Sequence, residues 1–305
     1  MTSAREGIPP GAAWTDALPD LVRSSDGTSI AVRSSSGGNK TPVLLVNAVG
    51  ATLAMWRPTL ERMASDRTWV TWDLRGLLDS RPPATDRLDP AAHAGDAIAA
   101  LDHLGVGDFA LVSWSNGSRI AFEIAARYPD RARGLAVING AYGQSLATLV
   151  RNLEPASALP LVAGVAKHFP MPVGIMLHQL VARPELAGLV RQSGMAGPSS
   201  DPAVLVEMLR AMAGCDTRRL LATFEAVAGS SAAEILPSVR ASTLLITGGR
   251  DRISPAHIVD EIRAAIPHVR VEVYEDATHY LPIEYPDRLA ADMSGFLSEL
   301  DQPRG

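Results

Sequence analysis

Cysteine is almost absent from this sequence: Cys215 stands alone in 305 residues. That excludes an intramolecular disulfide and a thiolate metal cluster, and with no activating pattern around it Cys215 reads as a small apolar residue. An excess of positive charge is lacking too. With 28 Lys and Arg against 33 Asp and Glu, the formal net charge is −5, which gives no electrostatic case for nucleic acid or an anionic membrane as partner. The longest apolar tract, 158–182, is broken by Pro160, Lys167, His168, Pro170 and Pro172, so neither a membrane span nor stable membrane association is expected. The first nineteen residues are rich in Gly, Pro and Ala and show no charged-then-apolar export pattern, which makes the cytoplasm the expected compartment. No pattern calls for a metal or an organic cofactor, and oligomeric state leaves no mark.

What is present suits a globular chain with a substantial core: 47% hydrophobic residues with 20% charged. After an expected loose extension over 1–18, Leu21–Arg23 and Thr28–Arg33 flank a Ser-Ser-Asp-Gly turn and read as a β-hairpin. Strand and helix patterns then alternate. Strands are expected at 42–46, 69–74, 109–113 and 135–138, and helices at 55–63, from Asp89-Pro90 to about 104, and 116–128. From about 142 to 230 no strand pattern appears, only helical segments parted by Pro and Gly, including one opened by Asp201-Pro202. This block holds five of the nine methionines. Most fit cores of helical hairpins, and Met171 and Met176 are candidates for lining an adaptable apolar pocket. Strands return at 242–247 and 269–274, with helices from Ser254-Pro255 to 266 and over 286–300. The expectation is an α/β fold with a mostly parallel, eight-stranded sheet: a core of 19–141 and 233–305 interrupted by an all-helical insertion, 142–232.

The chemistry centres on Ser113-Trp114-Ser115-Asn116-Gly117-Ser118. An apolar strand stops at a cluster of small residues and a helix begins at once. That is the sequence of a strained strand-to-helix turn which raises the apex hydroxyl, Ser115, to a helix N-terminus where free N–H groups favour negative charge. The same pattern also fits an ordinary βα turn, so the other strand ends must supply a base and an acid. A serine needs a base to become a nucleophile. Of seven histidines, only His279 lies in a loop directly after a strand, at Glu275-Asp276-Ala277-Thr278-His279. For the acid, Asp251 follows a strand through two glycines; its plain alternative is a surface ion pair with Arg250 or Arg252. Asp276 is the rival by nearness, and Asp73 reads as a structural loop-holder.

With these residues assembled, the chain resembles the α/β-hydrolase superfamily over about 20–141 and 240–300. The order Ser115, Asp251, His279 is that superfamily's order of nucleophile, acid and base. Asn47-Ala48-Val49-Gly50, followed by Met55-Trp56, is similar to the oxyanion loop of the 3-oxoadipate enol-lactonase-like, serine esterase branch. Asn47-Ala48 replaces the usual His-Gly, Ser113 and Ser118 stand where glycines are commoner, and Leu77-Leu78-Asp79-Ser80 departs from His-Gly-x-Ser. The resemblance implies backbone oxyanion donors at Val49 and Asn116, no cofactor, and water as co-substrate. It implies that 142–232 is an all-helical cap over the pocket and that an ester or lactone is hydrolysed through an acyl-enzyme; the Met-bearing block points to a mainly apolar substrate. Acyltransferase, thioesterase and C–C hydrolase chemistry use the same triad, and a non-catalytic binding protein is the reading of a different class. Asn47, Trp56 and Trp114 are further candidates for substrate contact, each with buried packing as its alternative.

Overall fold

The computed structural model describes residues 17–35, 37–63, 65–143, 185–192 and 194–302. Residues 1–16 and 144–184, the latter part of the expected cap and holding Met171 and Met176, lie outside the described residues.

Eight strands form one sheet: β1 (Asp20–Arg23), β2 (Ser29–Ser34), β3 (Lys40–Val46), β4 (Arg67–Trp72), β5 (Phe109–Trp114), β6 (Ala132–Ile138), β7 (Ser242–Gly248) and β8 (Val269–Tyr274). Their order is β1-β2-β4-β3-β5-β6-β7-β8. The β1–β2 hairpin is antiparallel and β2 runs antiparallel to β4, while every pair from β4 to β8 is parallel. Parallel strands covered on both faces need apolar residues on both, which explains why β5 (Phe-Ala-Leu-Val-Ser-Trp) is buried throughout. The period of two shows in β3: Leu44 and Val46 enter one core layer, Val43 and Leu45 the other.

The helices covering these faces begin as their sequences dictate. The Asp89 carboxylate accepts the Ala92 N–H at 3.0 Å and opens α2 (Pro90–His103) with proline in its first turn. The elbow leads into α3 (Gly117–Arg127). The helix expected over 55–63 is shorter. A 3₁₀ turn at Leu53–Met55 gives way to α1 (Arg57–Leu60), with Pro58 at its start. A proline cannot donate to the preceding turn, so one continuous helix cannot run through it.

Beyond β6 the chain leaves the sheet and returns before β7. An antiparallel bridge between Gly143 and Ser231 closes the base of this excursion, and Ala232 N–H donates to the Tyr142 carbonyl at 2.6 Å. Its described part is helical: α4 (Glu185–Gln192), α5 (Pro202–Gly214) and α6 (Thr217–Ala228), the last two opened by Asp201 and Asp216. The remaining helices are α7 (Ala256–Ala265), a short α8 (Leu281–Glu284) and α9 (Pro286–Leu300). Among the described residues no helix is long and apolar enough to cross a membrane.

Candidate active site

The turn from β5 into α3 is strained. Ser115 has φ of 55°, left-handed backbone that a non-glycine residue holds only when its surroundings demand it. Its N–H donates to the Ile138 carbonyl at 3.1 Å. Gly117 packs so closely under the β3 loop that a Cβ there would lie 2.5 Å from the Asn47 carbonyl oxygen. Ser113 and Ser118, standing where glycines are commoner, face one another with hydroxyl oxygens 3.1 Å apart. The two hydroxyls therefore find a partner inside the turn.

The elbow meets two other strand ends. His279, in the loop after β8, places Nε2 2.8 Å from Ser115 Oγ and Nδ1 2.8 Å from Asp251 Oδ2. Asp251 Oδ1 accepts the N–H groups of Ile253 at 2.7 Å and Ser254 at 3.0 Å, which fixes the carboxylate plane. All three side chains are buried. The Gly248-Gly249 turn lets the β7 and β8 ends approach, since a Cβ on Gly248 would stand 2.5 Å from the Ala277 carbonyl oxygen. Asp276, the rival acid, is exposed and pairs with Arg250, away from the histidine. Asp73 holds its loop, accepting from Arg33 at 3.1 Å and from the Asp79 N–H at 3.2 Å.

Val49 and Asn116 also meet at the elbow, where the Val49 N–H donates to Asn116 Oδ1 at 2.9 Å. No described residue accepts from the Asn116 N–H, which points out of the start of α3. Above this loop stand apolar side chains of the insertion. Leu220 Cδ1 and Met212 Cγ lie 2.9 and 3.1 Å from the place a Gly50 Cβ would take. The three other candidates for substrate contact are held within the scaffold. Trp56 is fully buried and donates Nε1–H to Asn47 Oδ1 at 2.7 Å, and Asn47 Nδ2 reaches Thr71 Oγ1 at 3.3 Å. Trp114 donates its indole N–H to the His279 carbonyl.

Residues not singled out from the sequence hold the site together. Asn139, at the end of β6, has φ of 46° and is 1% exposed. Its Nδ2 donates to the carbonyls of Thr278 at 2.8 Å and His279 at 3.0 Å, and its Oδ1 accepts the Gly248 N–H at 2.7 Å. Its own carbonyl accepts from Ser254 Oγ at 3.0 Å. One side chain thus ties the His279 loop to the Gly248 turn that leads to Asp251; the signal for it is an Asn-Gly pair directly at a strand end. Glu284 accepts the N–H of Thr278 at 2.8 Å and of Gly197 at 2.7 Å, joining the histidine loop to the insertion. Tyr280 sets its ring edge-on to His279, centroids 6.0 Å apart. Burial first, then the charges of Asp251 and Glu284, push its phenol up to about 12, so it stays protonated. Among the described residues no three His, Cys, Asp or Glu side chains are grouped to hold a metal ion.

A sheet of this order, with a strained serine turn after β5 and Asp251 and His279 in the loops after β7 and β8, defines the α/β-hydrolase class. The family model described as "alpha/beta hydrolase fold" matches residues 41–168. The chain has the α/β-hydrolase fold. It is 26% identical over 242 residues to a 2-hydroxymuconate semialdehyde hydrolase of Pseudomonas putida, covering 79% of this chain and 80% of the relative. A thermophilic esterase from Thermogutta terrifontis superposes with a TM-score of 0.72 at 23% identity, covering 94% of this chain and all of that one. The enol-lactonase from Burkholderia xenovorans LB400 does so with a TM-score of 0.69 at 21% identity, covering 92% of this chain and all of that one.

Proposed function

We propose that the protein is a serine hydrolase that cleaves a carboxylic ester or lactone of a mainly apolar small molecule through an acyl-enzyme. The observation carrying this reading is the relay Asp251–His279–Ser115, with both contacts at 2.8 Å on a strained elbow. His279 Nε2 takes the Ser115 proton as Oγ attacks the carbonyl carbon, while Asp251 holds the Nδ1–H tautomer and stabilises the imidazolium. The negative oxygen forms at the start of α3, where the Asn116 N–H and the oxyanion loop at Val49 await it. His279 then gives its proton to the departing alkoxide. Water, deprotonated by the same histidine, attacks the acyl carbon and releases the acid and free Ser115.

Met212 and Leu220 over the oxyanion loop support an apolar acyl group, and residues 142–232 are read as the cap that encloses it. The likeness to a semialdehyde hydrolase supports a second reading, in which the same relay cleaves a carbon–carbon bond beside a ketone. A panel of aryl esters and lactones of graded chain length, run beside a vinylogous 1,5-diketone, separates them. Turnover of esters or lactones, lost in Ser115→Ala, is the expected result. Turnover of the diketone alone would replace it with the second reading, and turnover of none would remove both.

A further inference from the structure

The amide that a substrate oxyanion would use is already bonded in the free protein. Asn116 Oδ1 accepts the Val49 N–H at 2.9 Å, from a side chain only 8% exposed. Asparagine at a helix start ordinarily turns its oxygen onto the first-turn amides. Asn116 has helical backbone there, φ −65° and ψ −15°, and its side chain makes no capping bond. The oxygen is spent across the elbow instead. A buried N–H without an acceptor costs free energy, so Val49 gains from this partner until a carbonyl oxygen replaces it.

We propose that the Asn116 carboxamide is a movable stopper, occupying the Val49 donor in the free enzyme and swinging aside when the substrate carbonyl enters. This rests on the hydrolase reading above. The Asn116 N–H is set by the backbone and stays in place, so one residue offers the oxyanion a donor and withholds a second. The consequence is a binding penalty. Any ligand that needs the Val49 amide binds in proportion to the fraction of protein with the stopper out. A neutral amide–carbonyl bond makes that penalty about threefold to tenfold.

The test compares wild type with Asn116→Ala and Asn116→Leu; the leucine variant keeps a branched side chain without an acceptor, should the alanine variant fail to fold. Three quantities are read: KM for a short-chain aryl ester, Ki for phenylboronic acid, whose serine adduct places an anionic oxygen in this site, and hydrogen exchange at the Val49 amide. The expected result is KM and Ki each lowered about threefold to tenfold. Exchange at Val49 should be at least about tenfold faster without boronate and slow again with it. Unchanged or raised Ki with an active wild type overturns the stopper alone, whether Val49 exchange stays slow or quickens. If wild type and variants neither hydrolyse ester nor bind boronate, the hydrolase reading falls and the stopper with it. Binding gained only in the variants supports the stopper.

Discussion

Trp114, immediately before the candidate nucleophile, donates its indole N–H to the carbonyl oxygen of His279 at 3.0 Å, their rings 5.3 Å apart. The strand that carries Ser115 therefore also holds the loop of His279. Trp114→Phe keeps an aromatic ring and loses the donor, while Asn139 Nδ2 still reaches the same carbonyl. We expect kcat for an aryl ester to fall about threefold to tenfold with KM little changed, because a slightly misplaced base costs rate and not affinity. Steady-state kinetics at saturating ester checks this. A change confined to KM would instead place Trp114 against the substrate.

Asn139 gives a prediction about stability. Asn139→Ala loses three side-chain hydrogen bonds and leaves a residue with a Cβ at positive φ, so it should destabilise by about 2–4 kcal/mol. Asn139→Gly loses the same bonds without the backbone strain and should recover about 1 kcal/mol. Urea unfolding of the two variants measures the difference. Equal stabilities would mean that the left-handed backbone is not strained.

Much of this arrangement could be read from residue types because it depends on local chemistry. Small residues around Ser115, double glycine before Asp251 and Asp-Pro pairs at helix starts each have one strong local use. Other features depend on what comes near across the fold. The bond between Asn116 and Val49 spans 67 residues, and Asn139 reaches the histidine loop about 140 positions on. No periodicity encodes such contacts. Trp56 and Trp114 show the same limit: an aromatic beside a functional motif serves a pocket or a scaffold equally well until its N–H finds its acceptor. The short α1 reflects Pro58 overriding an apolar pattern that otherwise reads as helix.

His93 makes stability depend on mild acid. It is fully buried, and its ring nitrogens make no hydrogen bond of normal geometry among the described residues, the Leu88 backbone being near enough only for a weak pull. Burial first, then the Arg75 guanidinium, lower its pKa from 6.5 to about 3, against weaker pulls from Asp89 and the Leu88 backbone. A histidine whose folded pKa is depressed contributes its full stability above the unfolded value and loses it as pH falls through that window. From His93 alone stability should therefore drop by about 1.4 kcal/mol per pH unit below about 6.5, before carboxylates with lowered pKa such as Asp89 and Glu123 begin to titrate, while the Asp73 and Asp96 carboxyls, pushed up by burial, oppose that drop. Chemical denaturation between about pH 7 and 4.5 checks the slope. In His93→Leu that limb should flatten; an unchanged slope would assign it elsewhere.

In the proposed mechanism Ser115 is a nucleophile activated by His279 and Asp251. Incubation with a fluorophosphonate probe, followed by intact-mass and peptide mass spectrometry, tests it without knowledge of the natural substrate. One adduct per chain is expected, located on Ser115, absent in Ser115→Ala and formed about a hundredfold or more slowly in His279→Ala. No adduct on the folded wild type, or an adduct that persists in Ser115→Ala, would contradict it.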